Sequence, residues 1–81
     1  MITILHRVNT IENLKNSDKN CGVELDLRCF NDNIILAHEP FKNGDSFEEY
    51  LEHYNHKLLV LNIKESGIED LVIKKTKNML D

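Results

Sequence analysis

Two acidic residues lie close together in a stretch of the sequence that alternates polar and apolar side chains. Glu24 and Asp26 are separated by one leucine and flanked by further apolar residues, the period of two that a β-strand gives. Two residues of strand span about 6.5–7 Å, and both carboxylates then lie on one face. Since carboxylate oxygens are the ligands that magnesium and calcium prefer, the pair predicts a divalent-cation site. The alternative is a polar row that faces solvent on an edge strand.

Two histidines and an arginine lie where predicted strands end. His6 and Arg7 end the first strand, and His38 ends a later one. Histidine titrates near neutral pH, so a pair across a site can act as general base and general acid. The planar fork of Arg7 suits phosphate oxygens. The alternative for each of these histidines is an ordinary hydrogen bond at a strand end. His53 and His56 lie three residues apart near a predicted helix C-terminus, and an ordinary structural role is preferred for them.

The elements that must position these residues follow from the hydrophobic pattern. Residues 2–5 form a short β-rich run that predicts the first strand, and Thr10 is placed to cap a helix. Gly22 opens the alternating strand. A turn signal at residues 31–33 and an apolar run over residues 34–37 predict a strand that returns in a hairpin.

The second half of the sequence predicts two helices and one more strand. Ser46 and Glu49 form a capping-box pattern, so a helix should begin there and end near residue 55 or 56. The nearly continuous apolar run Leu58–Ile63 predicts a strand covered on both faces. After Gly67, apolar residues at helical spacing predict a last amphipathic helix; they are Ile68, Leu71, Val72, Met79 and Leu80.

This order predicts an α/β fold with three main parallel strands, a hairpin return and interleaved helices. In parallel sheets and barrels, residues at the carboxyl ends of the strands face the ligand. Asn62 and Lys64 end the third main strand, as His6 ends the first. We therefore expect these side chains to share one site.

Composition excludes several partners. The 81 residues carry 10 Lys and Arg against 14 Asp and Glu, a net charge of −4, without the clustered basic face that nucleic-acid binding needs. No run approaches the roughly 20 apolar residues of a membrane span, and no secretory signal is visible, so a cytoplasmic location is expected. Cys21 and Cys29 match no zinc pattern and are expected to be free, mostly buried thiols.

Four short motifs together resemble the glycerophosphodiester phosphodiesterase family. They are His6-Arg7, Gly22-Val23-Glu24-Leu25-Asp26, Ile34-Ile35-Leu36-Ala37-His38-Glu39 and Leu61-Asn62-Ile63-Lys64. The family has His-Arg on its first strand, Glu-x-Asp on its second, an apolar run into His-Asp, and a Glu-Ile-Lys-like motif on its third main strand. The resemblance covers residues 2 to about 65.

The resemblance implies that residues 1–81 are the N-terminal portion of a TIM-like barrel. This family cleaves glycerophosphodiesters to glycerol phosphate and an alcohol, usually with a divalent metal ion, here magnesium or calcium. Residue by residue, the resemblance implies an acid/base pair, two phosphate-binding residues and two metal ligands: His6 and His38, Arg7 and Lys64, and Glu24 and Asp26, respectively.

Three departures from the family pattern bear on the site. Asn62 stands where the family has a third metal-binding carboxylate; its amide oxygen can coordinate calcium but brings no charge. Glu39 replaces the aspartate of the His-Asp motif. The loop after the first strand is short, and either Asn9 or Asn13 could take the place of the family's asparagine.

Two alternatives to a metal-assisted phosphodiesterase stay open. One is a metal-independent barrel similar to the phosphoinositide-cleaving phospholipases, and the other is an inactive module that binds a phosphate ester or acts through a partner chain. An exposed edge at Leu58–Ile63 favours the prediction that the encoded protein continues. The alternatives are that its strand edges self-associate or pair with other chains, or that the fragment is unstable alone. The isolated 81 residues are expected to be inactive, because a barrel site needs its far side.

Overall fold

A computed structural model of the chain describes residues 2–80, and the side chains of residues 2–77. The elements follow in the order β1 (Ile4–Leu5), α1 (Ile11–Asn16), β2 (Gly22–Phe30), β3 (Asn33–Leu36), α2 (Phe47–Glu52), β4 (Leu58–Ile63) and α3 (Glu69–Leu80). Over the described residues this is a small α/β domain with a mixed sheet of four strands and three helices. The predicted fold class is confirmed at this level.

The central strand of the sheet is β2, since the other three strands all pair with it. β1 and β4 run parallel to β2, and Asp26 lies beside Asn62 in the register. β3 runs antiparallel and pairs with the C-terminal half of β2. Asn31 and Asp32, which join β2 to β3, both have positive φ angles, as a type I′ hairpin turn requires. The three parallel strands and the hairpin return are confirmed.

One face of the sheet carries the hydrophobic core. The β2 residues Val23, Leu25 and Leu27 are fully buried there. The helices contribute further buried side chains to the same cluster: Leu14 from α1, Phe47, Tyr50 and Leu51 from α2, and Val72 from α3. The strand alternation therefore directs every second residue of β2 towards the helices and leaves Glu24, Asp26 and Arg28 on the opposite face.

Side-chain caps start the first two helices where the sequence predicts. Thr10 Oγ1 accepts a hydrogen bond from the Asn13 backbone at 3.1 Å, and Ser46 Oγ accepts one from the Glu49 backbone at 3.4 Å. Each cap satisfies an amide of the first turn that has no partner within the helix. The return bond from the Glu49 carboxylate, which would complete the capping box, is not among the bonds of the described residues.

Two elements are shorter than the sequence predicts. β1 covers only Ile4–Leu5, and Ile2 and Thr3 are exposed before it. α2 ends at Glu52 instead of residue 55 or 56, because the His53 amide bonds to the Tyr50 carbonyl at 3.0 Å and tightens the last turn.

The prediction that β4 is covered on both faces is wrong for the described residues. Leu58 is 41% exposed, and the other apolar residues of the strand are only half-buried. The helices cover one face of the sheet and leave the other open. In α3, Ile68 and Val72 are buried as predicted, but Leu71 is 39% exposed; the predicted contributions of Met79 and Leu80 fall outside the described side chains.

The remaining sequence expectations concern the thiols and the membrane. Cys21 and Cys29 are free, as predicted, but both are half-buried instead of mostly buried. Within residues 2–80, no helix combines the length and the apolar character needed to cross a membrane.

Candidate functional site

The face of the sheet opposite the helices carries most of the residues that the sequence singles out. We call it the polar face and define it by His6, Glu24, Asp26, Asn62 and Lys64. Paired residues of parallel strands project to the same side, which brings Asp26 and Asn62 together. His6, directly after β1, places its Nδ1 3.4 Å from Glu24 Oε1.

Asp26 is the buried centre of the polar face, with 1% of its surface exposed. Its Oδ2 accepts a hydrogen bond from Asn9 Nδ2 at 3.0 Å. Its Oδ1 accepts one from Asn62 Nδ2 at 3.2 Å and lies 3.7 Å from Lys64 Nζ. A buried carboxylate is costly unless it is paired and hydrogen-bonded, and here three nitrogen donors stabilise it.

The structure selects Asn9 over Asn13 as the asparagine of the site. Besides donating to the carboxylate, Asn9 accepts a hydrogen bond from the Asp26 backbone amide through its Oδ1 at 2.9 Å. The two bonds fix both ends of the Asn9 amide group. Asn13 is exposed, and its backbone amide is used in the cap of α1.

The loop that carries Asn9 is fixed from the core side by Tyr50. The Tyr50 hydroxyl donates to the Val8 carbonyl at 2.9 Å, and the Val8 amide donates to the Glu24 carbonyl at 2.8 Å. Burial raises the pKa of Tyr50 far above its ordinary value, so this hydroxyl keeps its proton. The loop therefore lies along β2 with its polar side chains towards the site.

Arg7 lies at the start of this loop in a left-handed backbone conformation with φ of 54°. Such a conformation is uncommon for a residue other than glycine and is found often at functional sites. The side chain is exposed and makes no hydrogen bond or ion pair within the part of the chain that the structure describes.

His38 is held through its backbone rather than its ring. Arg28 donates to the His38 carbonyl from Nε at 3.3 Å and from Nη2 at 3.0 Å. The same guanidinium lies 3.6 Å from Glu65 Oε1, and Glu65 Oε2 accepts from the Cys29 amide at 3.2 Å. The His38 ring lies beside Glu39, with Nδ1 3.5 Å from Oε1. Arg28 and Glu65 therefore fix the chain at the end of the hairpin.

The two candidate catalytic histidines reach the same edge of β2 from opposite directions. The Glu24 carbonyl accepts from Val8, in the loop after His6, and the Asp26 carbonyl accepts from Ala37, directly before His38. These two carbonyls are two residues apart, about 6.5–7 Å along the strand. No contact within the described residues joins the two rings. His38 lines an open pocket of about 280 Å³ whose walls include Asn9 and Asp45.

The polar face has few oxygen ligands for a divalent cation. No group of three or more His, Cys, Asp or Glu side chains within the described residues is arranged to hold a metal ion. Both oxygens of Asp26 accept from nitrogen donors, and Asn62 turns its amide nitrogen, which cannot coordinate a cation, towards that carboxylate. Glu24 lies against His6. In this arrangement the residues do not fit magnesium or calcium, which bind oxygen ligands.

The sequence thus predicted all five residues that define the polar face but missed two that support it. Arg28 continues the alternation of Glu24 and Asp26 by one more step, and that signal could have identified it. Glu65 follows the third main strand and carries no comparable signal, since its contacts with Arg28 and Cys29 depend on the tertiary fold.

Comparisons with protein-family models, curated proteins and solved structures found no match to this chain. The fold and the polar face define a small α/β domain with a polar site on the uncovered side of its sheet. The likeness of its four motifs to the phosphodiesterase family remains a resemblance in sequence.

Proposed function

We propose that residues 1–81 are the N-terminal portion of a TIM-like phosphodiesterase barrel and that the polar face is one side of its active site. The observation that carries the proposal is the pairing of β2 with parallel β1 on one side and parallel β4 on the other. That pairing gathers residues from three strands on one helix-free face. Helices outside and polar strand-end residues inside are the arrangement of such a barrel.

The proposed reaction is hydrolysis of a small phosphodiester, of the glycerophosphodiester class by the family resemblance. One histidine of the pair His6 and His38 removes a proton from the attacking water, whose oxygen bonds to phosphorus, and the other donates a proton to the alcohol oxygen as its bond to phosphorus breaks. Glu24 orients the His6 ring from 3.4 Å. Arg7 and Lys64 provide positive charge for the phosphoryl oxygens as negative charge develops on them.

The divalent metal ion of the family, magnesium or calcium, stays a prediction for this chain, and the nitrogen donors present at Asp26 fit it poorly. This observation favours a second candidate, a metal-independent barrel with paired histidines. A third, an inactive module that binds a phosphate ester, uses the same positive charges without turnover. The cytoplasmic location and the small-molecule phosphodiester partner are likewise proposals.

Replacement of His38 by alanine tests the catalytic assignment. In a protein that carries the complete proposed barrel, His38→Ala should lower turnover of a glycerophosphodiester by at least ~100-fold, the contribution expected of a general acid or base. His53→Ala, at the C-terminus of α2, is the matched control and should keep turnover unchanged. Release of glycerol phosphate measures the rate.

The outcomes separate the candidates. Unchanged turnover in His38→Ala contradicts the proposed role of that residue. No release of glycerol phosphate by the complete barrel without a substitution, together with saturable binding of glycerol phosphate, indicates the binding module. Turnover that persists in EDTA indicates the metal-independent barrel.

A further inference from the structure

Asp26 is surrounded by nitrogen donors where the related family would have a metal ion. We propose that Lys64 supplies at Asp26 the positive charge that a divalent cation supplies in that family, so that the polar face binds its phosphate ester without a metal ion. The inference rests on the proposed function for the identity of the ligand. It goes beyond that function in naming Asn9, Asp26 and Asn62 as the residues that position Lys64.

Both carboxylate oxygens of Asp26 are already used in hydrogen bonds, so neither is free to bind a cation. Magnesium or calcium needs oxygen atoms within about 2.0–2.6 Å. Asp26 is buried to 99% of its surface, and its two oxygens already accept from Asn9 and Asn62. The Asn9 amide cannot turn over without breaking its bond from the Asp26 backbone. A cation would have to displace these bonds from a closed position.

The charges at the site also disfavour a divalent cation at Asp26. Lys64 Nζ lies 3.7 Å from Asp26 Oδ1, and the pair is neutral as a whole. A divalent cation at the carboxylate would lie within a few ångströms of this ammonium group and be repelled by it. Asn62, one strand over, contributes no compensating negative charge. The Lys64 side chain keeps 29% of its surface exposed, so its ammonium group can be held by Asp26 and still reach a ligand.

The first experiment measures metal binding on the wild-type protein. We expect thermal unfolding to occur at the same temperature in EDTA, in millimolar calcium chloride and in millimolar magnesium chloride, and isothermal titration to give no saturable heat with either ion. A bound ion would raise the unfolding temperature by mass action. A saturable site in the wild-type protein that disappears in Asp26→Asn overturns the inference.

The second experiment restores the missing carboxylate. Asn62→Glu combined with Lys64→Met should gain a calcium-dependent rise in unfolding temperature, because the double variant adds charged oxygen ligands beside Asp26 and removes the ammonium group that repels a cation. Asn62→Gln combined with Lys64→Met, which adds the same side-chain length without the charge, should not. A failure of the first double variant to gain calcium binding would contradict the claim that the charges at positions 62 and 64 keep the site free of a metal ion.

The third experiment separates this inference from the proposed function. Glycerol phosphate should bind the wild-type protein in EDTA, and Lys64→Met should weaken that binding at least ~10-fold, the loss of one charged contact. If glycerol phosphate binds only after calcium or magnesium is added, the metal-free site is wrong and the proposed function survives. If glycerol phosphate binds under neither condition, the proposed function itself fails, and this inference falls with it.

Discussion

At the scale of single residues, the site depends on how one buried carboxylate is satisfied. Asp26 is almost completely removed from solvent, and its neighbours donate from two segments of the chain. Asn9 comes from the loop after β1, Asn62 from β4 and Lys64 from the residue after β4. Because the loop after β1 and the end of β4 both bond to Asp26, the carboxylate fixes these two segments relative to β2. Asp26 is therefore expected to stabilise the fold as well as to position the site residues.

Asn9→Ala tests this role of Asp26. The substitution removes the bond to Oδ2 and leaves the Asp26 amide without its partner, so the free energy of unfolding should fall by about 2–3 kcal/mol. Asn13→Ala, in the exposed first turn of α1, should change stability by less than about 0.5 kcal/mol. Urea denaturation measures both variants. Equal losses in the two would contradict the choice of Asn9.

Sequence reasoning left Asn9 and Asn13 undecided for a physical reason. Both lie within a few residues of the capping Thr10, and nothing in their types or spacing says which one faces β2. The choice is made by the path of the loop, which follows from the bonds of Val8 to Tyr50 and Glu24. Glu24 and Asp26, in contrast, lie in a regular strand, where alternation alone predicts their common face.

His56 gives a prediction about pH. Burial, and then the charge of Lys19, lower its pKa below the ordinary value of 6.5, while a hydrogen bond to Ser17 and the charge of Asp18 partly offset this. The unfolded chain therefore takes up the proton at higher pH than the folded chain. The neutral His56 ring therefore contributes to the stability of the folded chain. That contribution is complete above pH 6.5 and is lost as the pH falls from 6.5 towards the pKa of His56 in the folded chain.

Urea midpoints above and below the ordinary pKa of histidine measure this effect. The wild-type protein should lose more stability on acidification than His56→Asn, in which the titrating group is absent. Lys19→Gln should lie between the two, since it removes only the second cause of the lowered pKa. An identical loss in all three proteins would show that His56 does not contribute to the acid sensitivity.

At the scale of elements, β2 organises the domain because its two faces and both its edges are all used. One face packs on the helices and the other carries the site, and each edge pairs with a parallel strand. The sequence predicts this strand best because its alternation is regular. It predicts the end of α2 less well, because the last turn is tightened by backbone hydrogen bonds of His53 that cannot be predicted from residue types. The sequence also fails to predict the burial of β4, because an apolar run does not show how much of the strand's surface the neighbouring elements cover.

The backbone at Gly44 lies very close to the backbone of Leu36 at the end of β3. A Cβ atom there would lie 2.1 Å from the Leu36 carbonyl oxygen, at the point where the Leu36 amide bonds to the Asp45 carbonyl. The Asp45 carboxylate in turn accepts from Ile11 at the start of α1, at 2.7 Å. Residues 43–46 thus connect β3, α1 and α2, and a side chain at Gly44 would separate them.

Gly44→Ala should therefore lower the free energy of unfolding by about 2–4 kcal/mol, the combined cost of overpacking and a lost backbone bond. Gly67→Ala is the control, because its left-handed φ of 93° disfavours alanine while no atom lies within 4 Å of the added carbon. That variant should lose only about 1–2 kcal/mol. Denaturant titration compares them, and a smaller loss in Gly44→Ala than in Gly67→Ala would contradict the close approach.

At the scale of the whole molecule, the helices cover one face of the sheet, and β4 lies at an edge of that sheet. All six residues of β4 pair with β2, and its other edge has no strand partner within the described residues. The strand is mostly apolar, and natural proteins usually guard such an edge with a charge, a proline or a covering element. A barrel would continue from this edge. In the 81-residue chain the same edge should pair with a second copy.

Val60→Lys tests whether copies of the chain pair through β4. Val60 projects on the polar face beside Glu24, which can accept the new charge, so the domain should still fold. A lysine on an edge strand opposes pairing with another strand, so association should weaken at least ~10-fold, the effect of about 1.4 kcal/mol. Val60→Thr keeps the β-branched shape without the charge and should associate as the wild type does. Sedimentation velocity over a range of concentrations measures the association, and equal association of the lysine variant and the wild type would show that the contact lies elsewhere.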